Sequence, residues 1–180
     1  IEKSRTTTAD WTFYTNAGGN KLLFLNNSNA VTTSFSGVAN VGSSIFTDGS
    51  GGTDKRLAYL FTPIKGYSKF GKYVSNGDSN GTFVYLGFKP AFVIIKASTR
   101  SSGGEWVMLT GKITTGTNSN PLTDALYSNS NGAETGVFTT DFLSNGFKLR
   151  HTSGATSTSN ESYIYLAFAE TPFALNNRAR

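Results

Sequence analysis

The run Tyr163-Ile164-Tyr165-Leu166-Ala167-Phe168 has the length and the aromatic and β-branched composition of a single β-strand. Side chains alternate along a strand, so Tyr163 and Tyr165 share one face and the aliphatic side chains share the other. We predict that the aliphatic face packs in the core. The tyrosine face is then left to pack against a neighbouring copy or to meet a sugar ring, because tyrosine combines a flat apolar body with a polar tip.

Short runs of the same kind recur along the whole chain. They occupy residues 11–14, 21–25, 44–46, 57–61, 70–74, 82–86, 91–96, 105–109 and 146–150. Turn-forming Gly, Asn, Ser and Pro separate them, for example in residues 76–81. The best helical candidate, 122–127, is only about two turns long. This pattern predicts an all-β chain that folds as an antiparallel β-sandwich, jelly-roll or lectin-like.

The composition excludes several kinds of site. The chain has no cysteine and one histidine, so neither a disulfide framework nor a Cys- or His-rich metal site is expected. The formal net charge is +5, but the basic residues are scattered and form no nucleic-acid footprint. No apolar stretch approaches the ~20 residues that span a bilayer. We therefore expect no nucleic-acid partner, no membrane insertion and no cofactor.

Two segments of the chain resemble each other in the same order. Trp11 and Trp106 occupy equivalent places, residues 25–30 match 127–133, and residues 57–63 match 164–172. We predict three parts: residues 1–65 are the C-terminal part of a preceding repeat, 66–175 a complete C-terminal β-sandwich repeat, and 176–180 a short basic tail. The first copy lacks a counterpart of residues 66–93. Either residues 1–63 close on themselves, or a partner or another segment supplies the missing strands.

The chain begins at Ile1 with neither an initiator methionine nor a leader, and we expect it to be a fragment or a processed piece of a longer protein.

Four stretches suggest a family: 66–73 (GYSKFGKY), 83–96 (FVYLGFKPAFVIIK), 141–150 (DFLSNGFKLR) and 163–173 (YIYLAFAETPF). They resemble a tandem-repeat β domain of marine, cyanophage-like tailed-phage fibre and virion-appendage proteins. The resemblance implies an extracellular location in the phage virion, other virion proteins as partners, a homotrimer and contact with a host-surface glycan. It implies no catalytic residues, and it makes Arg180 the expected native end.

The acidic residues predict neither an enzyme nor a metal centre. They stand mostly beside turns, and no two occupy strand positions that would make them face each other, as a glycosidase requires. Asp48 and Asp54 flank a Gly-rich loop and are the calcium candidates, but the EF-hand spacing is absent, and we predict a hairpin loop without a metal. His151 is predicted to be a solvated loop residue.

The candidate ligand contacts are therefore aromatic: Tyr163, Tyr165 and Tyr127 for a glycan. The loops 115–120 and 153–160 add neutral hydrogen-bonding groups. The first functional hypothesis is a phage structural protein, a tail-fibre or appendage module for assembly and host attachment. The second is a carbohydrate-binding module of a secreted protein. The third is a glycan-cleaving enzyme, which would depend on a carboxylate such as Asp141.

Overall fold

The structure of the protein, a computed structural model, describes residues 2–4, 12–15, 21–31, 40–41, 46–47, 56–100, 103–111 and 120–172. Every helix or strand in these ranges is a β-strand, as the sequence predicts. The first six strands are β1 (Glu2–Ser4), β2 (Thr12–Thr15), β3 (Lys21–Phe24), β4 (Asn40–Val41), β5 (Phe46–Thr47) and β6 (Arg56–Ala58). The next eight are β7 (Ser68–Val74), β8 (Phe83–Tyr85), β9 (Pro90–Ala97), β10 (Trp106–Thr110), β11 (Leu126–Tyr127), β12 (Thr140–Leu143), β13 (Gly146–Leu149) and β14 (Ser162–Ala169).

Strands β7 to β14 form a β-sandwich, which confirms the predicted fold class. A five-stranded antiparallel sheet in the order β11-β10-β9-β14-β7 packs on a three-stranded antiparallel sheet in the order β12-β13-β8. Phe147 of the smaller sheet joins the two layers, because its ring lies edge-on to Tyr73 at 6.2 Å and to Tyr165 at 5.8 Å. The core between the sheets contains Val84, Val93, Ile95, Val107, Leu109, Phe138, Phe142 and Leu149.

Strand β14 is buried on both faces, and the sequence assigned its core face wrongly. Tyr163, Tyr165 and Ala167 point into the sandwich core. Ile164, Leu166 and Phe168 point to the opposite, outer face of the five-stranded sheet, where they join a second apolar cluster with Leu23 and Trp106. The predicted alternation is correct. The error arose because a strand with cover on both sides gives no polar face to mark the outside.

The earlier described strands form two small sheets. The four-stranded sheet has the order β3-β2-β1-β6, which can be compared with the order β11-β10-β9-β14 within the five-stranded sheet. Strands β4 and β5 pair antiparallel in a separate two-stranded sheet. Strands β7 and β8 have no earlier counterpart within the described residues. The two copies of one unit and the division at residue 65 both remain predictions.

The proposed helix at 122–127 is not present. Leu122 forms a β-bridge with Thr140, Ala125 forms one with Thr135, and the two residues of β11 pair with β10. The backbone groups of this segment are therefore bonded to other strands, and tertiary pairing overrides a short helical pattern.

Candidate functional site: a polar cleft at the seam

The outer face of the five-stranded sheet is covered by residues 21–31, and we call this contact the seam. Leu23 and Trp106 are fully buried there, and Leu166 lies beside them. Leu25 and Val31 pack against the same cluster. On the connecting segment, the Phe61 ring lies edge-on to Phe168 at 6.1 Å. The seam is thus an apolar contact between the earlier segment and the sandwich.

Polar groups also join the two sides of the seam. The indole Nε1 of Trp106 donates to the Phe24 carbonyl oxygen at 2.8 Å, and the Val31 amide donates to the Ser98 carbonyl oxygen at 2.9 Å. Buried donors and acceptors lose free energy when left without partners. These bonds therefore fix how the two sides are placed.

Lys96 is the unexpected residue of the seam, since sequence reasoning placed it among scattered surface cations. It is 0% exposed. Its Nζ donates to the Ala97 carbonyl oxygen at 2.8 Å and to the Ser28 carbonyl oxygen at 3.2 Å. Burial lowers the pKa of Lys96 to about 8, against the opposing influence of the Glu105 and Glu161 carboxylates. A lysine held by carbonyl oxygens here ties residues 21–31 to β9.

A polar cleft of about 730 Å³ opens at one end of the seam. Two Asn-Ser turns border it, one from each segment: Asn27 and Ser28, and Asn129 and Ser130. The other lining residues are Gly103, Glu105, Tyr127, Ser153, Gly154 and Ala155. The two turns are the matching stretches of the proposed repeat, and the Ser128 hydroxyl donates across to the Leu25 carbonyl oxygen at 3.5 Å.

The side chains of the cleft are held in place by hydrogen bonds. The Asn129 amide donates through Nδ2 to the Glu105 carboxylate, and its Oδ1 accepts from the Trp106 backbone amide at 3.0 Å. Tyr127 is half-buried, with its ring edge-on to Phe138 at 5.9 Å. Burial raises the pKa of Tyr127, and the charge of Glu105 raises it further. The phenol is therefore a neutral hydrogen-bond donor at ordinary pH.

The cleft combines one aromatic face with amide, hydroxyl and carboxylate groups. A sugar presents ring hydroxyls and an apolar C–H face, so this lining suits a neutral glycan better than an apolar ligand. Of the three predicted glycan contacts, Tyr127 lines the cleft. Sequence reasoning missed Glu105, Asn129 and Ser28. The repeated Asn-Ser turn is the signal that could have identified Asn129 and Ser28.

Tyr163 and Tyr165 lie in the core and cannot meet a ligand at the surface. They are 0% and 5% exposed. Tyr163 stacks on Tyr73 with ring centroids 5.2 Å apart, and its hydroxyl donates to the Gly154 carbonyl oxygen at 2.9 Å. Burial raises the pKa of Tyr165. These tyrosines were proposed as glycan contacts from strand alternation, which does not show which face is covered.

His151 is buried, which corrects its assignment to a solvated loop. Its Nδ1 accepts from the Ser153 amide at 3.1 Å, so the neutral ring carries its proton on Nε2 and donates to the Thr156 hydroxyl at 3.2 Å. The Phe138 ring lies edge-on to it at 5.3 Å. Burial lowers the pKa of His151 to about 4. The histidine therefore organises the loop that follows it.

The loop 153–160 is more enclosed than its Ser- and Thr-rich sequence indicates. Thr156 and Ser157 are buried, and the Ser157 hydroxyl bonds the Ser75 hydroxyl at 3.1 Å. Ser153 and Gly154 still line the cleft. The other predicted contact loop, 115–120, lies outside the described residues except for Asn120, whose Oδ1 accepts from the Phe142 amide at 2.7 Å.

The carboxylates named from the sequence do not form a common site. Asp48 and Asp54 lie outside the described residues. Asp141 is held by Arg150, whose Nε lies 2.6 Å from Oδ2. No cluster of three or more His, Asp or Glu side chains suited to a metal ion occurs in the ranges that the structure describes. Within those ranges, no helix has the length and apolar character to cross a membrane.

Comparison with known proteins identifies a family. Neither the curated proteins nor the solved structures include a match to this chain. Residues 1–172 match the family model described as Domain of unknown function (DUF7483), and the match includes both segments and all of their described strands. The chain therefore belongs to the family of the Domain of unknown function (DUF7483).

Proposed function

We propose that this chain is a structural and adhesive β-module of a phage virion appendage, such as a tail fibre. It joins other virion proteins, attaches the particle to a host surface, and acts by surface shape without catalysis. The observation that carries the proposal is the seam, in which residues 21–31 seal the outer face of the five-stranded sheet. The resemblance of residues 66–173 to repeats of virion-appendage proteins supports the same role.

A fibre that attaches a particle through its tip must be stiff, so consecutive units of the fibre must not bend relative to one another. A flexible linker would leave consecutive units free to reorient, whereas a buried seam with hydrogen bonds from Trp106 and Lys96 holds them in one arrangement. Sandwich folds leave loops at the ends of rigid sheets, where binding groups can vary without loss of the core. The polar cleft beside Tyr127 lies in such a place.

Immunogold labelling of intact phage particles that encode the chain tests this role. Antibodies raised against the purified chain are expected to decorate an appendage, and prior absorption of the antibodies with the chain should abolish the labelling. If the antibodies detect the protein in infected-cell lysate but leave purified particles unlabelled, the protein is not part of the virion and the proposal is wrong.

We also propose a homotrimer, by analogy with phage fibres. Sedimentation equilibrium of the purified chain is expected to give three times the monomer mass of 19.2 kDa. A stable monomer at all tested concentrations would contradict the proposed trimer. It would not affect the proposed location in the virion, which the labelling experiment tests.

The second candidate function is that of a carbohydrate-binding module in a secreted protein, and the cleft favours it. Tyr127, Asn129 and Glu105 offer a ring face, an amide and a carboxylate within one cleft. A neutral-glycan array is expected to show binding that Tyr127→Ala reduces by roughly tenfold, the loss of one aromatic contact. Tyr59→Ala is the matched control, because Tyr59 is half-exposed and does not line the cleft. Equal binding by both variants would exclude the cleft as the sugar site.

A further inference from the structure

Two aromatic side chains lie exposed on the outer face of the three-stranded sheet, away from the cleft. On β8, Val84 points into the core, whereas Phe83 and Tyr85 point outward and are 42% and 60% exposed. In the neighbouring strand β13, Gly146 pairs with Tyr85 and Lys148 pairs with Phe83. We call Phe83, Tyr85, Gly146 and Lys148 the outer platform.

Gly146 leaves room for the Phe83 ring to lie on the surface of the smaller sheet. A Cβ atom added to Gly146 would come within 3.0 Å of Cε2 and 3.1 Å of Cζ of Phe83, so this ring occupies the space above the glycine. A Cβ on Gly87 would make only ordinary contacts with the hydroxyl and ring of Tyr85, at 3.6–3.9 Å. The Phe83 ring therefore packs on backbone with one side, and both rings keep part of their surface exposed to solvent.

Positive charge surrounds these rings. Lys69 Nζ lies 5.0 Å from the centre of the Tyr85 ring and donates to the Tyr85 carbonyl oxygen at 2.8 Å. Lys148 makes no ion pair with a carboxylate of the described residues. The acid across from it on β12, Asp141, is neutralised by Arg150 at 2.6 Å. Lys69 and Lys148 therefore place positive charge beside the two rings.

We propose that the outer platform binds an anionic polysaccharide. The sugar rings stack on Tyr85 and Phe83, and their sulfate or carboxylate groups face Lys148 and Lys69. An aromatic ring offers a flat surface on which a sugar can stack, and the positive charge beside the rings favours an anionic ligand over a neutral one. The inference deepens the attachment role proposed above and in that sense rests on it, but it concerns a different surface and a different class of glycan from the cleft.

Affinity gel electrophoresis with dextran sulfate and unsulfated dextran tests the proposal on the purified chain. The two polymers share one backbone, so only the charge of the ligand differs. We expect retardation by dextran sulfate alone. Tyr85→Ala should weaken it roughly tenfold, the contribution of one stacked ring. Lys148→Gln should weaken it roughly threefold, as expected for an exposed ion pair.

Lys72→Gln is the matched control. Lys72 is an exposed lysine of β7 in the other sheet, and the substitution removes the same charge. If Lys72→Gln weakens retardation as much as Lys148→Gln, binding is diffuse attraction to a basic protein, and the platform is not a site. Retardation that Tyr85→Ala leaves unchanged also overturns the proposal.

Two further measurements keep the result interpretable. Thermal melts should coincide for the wild type and all three variants, because Tyr85, Lys148 and Lys72 are not in the core. Sedimentation without polymer shows whether a second copy covers the platform. An oligomer that Tyr85→Ala dissociates would assign the surface to self-association and refute glycan binding. These outcomes concern the purified chain, so failure here is distinguishable from failure of immunogold labelling.

Discussion

The indole Nε1 of Trp106 donates a 2.8 Å hydrogen bond to the carbonyl oxygen of Phe24, a residue 82 positions earlier in the chain. The bond crosses the seam and links the first residue of β10 to the last residue of β3. Trp106 is fully buried, so this donor has no access to bulk water. The seam is therefore part of the folded core.

Trp106→Phe tests the contribution of this bond. The variant keeps an aromatic ring but loses the donor and leaves the Phe24 carbonyl oxygen without this partner. We expect a loss of about 1–3 kcal/mol in the free energy of unfolding, measured by urea denaturation. Native-state hydrogen exchange should show faster exchange in residues 21–31. Phe138→Leu, a volume loss between the two sheets, serves as the control and should spare that segment; equal exchange in both variants would contradict a distinct seam.

Because the pKa of Lys96 is lowered in the folded chain, we predict that the free energy of unfolding rises at alkaline pH. Its pKa is about 8 in the folded chain against 10.5 for an ordinary lysine. Between these values the unfolded chain binds more protons, so raising the pH favours the folded state. Urea midpoints measured from pH 7 to 10 should increase for the wild type relative to Lys96→Met. The control Lys72→Met should keep the rise, and an identical pH profile for both variants would argue against a buried ammonium.

Because the pKa of His151 is lowered in the folded chain, we predict that the protein loses stability in acid. Its folded pKa of about 4 lies below the ordinary 6.5, so the unfolded chain takes up a proton first as the pH falls through this interval. Protonation of Nδ1 also removes the acceptor of the Ser153 amide. Thermal unfolding from pH 7 to 4 should show a smaller decrease for His151→Gln than for the wild type. Parallel curves would assign the acid sensitivity to carboxylates instead.

We predict that the smaller sheet tolerates no side chain at position 146. A Cβ atom at this position would overlap the carbonyl oxygen of Val84 and press on the Phe83 ring. Gly146→Ala should therefore cost about 1–3 kcal/mol of stability, as overpacking does. Gly111→Ala is the control, because its added methyl would meet only Leu122 Cδ2 at 3.8 Å. Denaturation midpoints that fall equally for both would show that loss of glycine flexibility, and not the overlap, is responsible.

The sandwich was predictable from the sequence because strands and turns leave signals within a few neighbouring residues, as alternating apolar side chains and as turn-forming residues. The loop at 76–81 illustrates this: Gly77 has φ +69°, and Asp78 Oδ1 accepts from the Asn80 amide at 2.7 Å. The inner face of β14 was not predictable in the same way. Both faces are covered, one by the three-stranded sheet and the other by residues 21–31, which lie more than a hundred positions earlier in the chain.

The candidate site was only partly predictable for the same reason. Tyr127 was selected as an aromatic with a polar tip, and it lines the cleft. Lys96 was counted among the scattered basic residues, since lysines are usually exposed, and His151 was assigned to a solvated loop because a Ser-, Thr- and Gly-rich stretch follows it. Their burial depends on partners far along the chain, such as Ser28, or on loop closure, as with Thr156.

None of the eight residues of β14 is exposed. A substituted side chain on this strand must fit the packing of the sandwich core on one face or of the seam on the other. Few substitutions at these positions are therefore tolerated. Substitutions that change what the protein binds would therefore have to occur elsewhere, at positions whose side chains face outward. Among related chains, β14 should serve as the fixed reference against which the diversifying surfaces can be recognised.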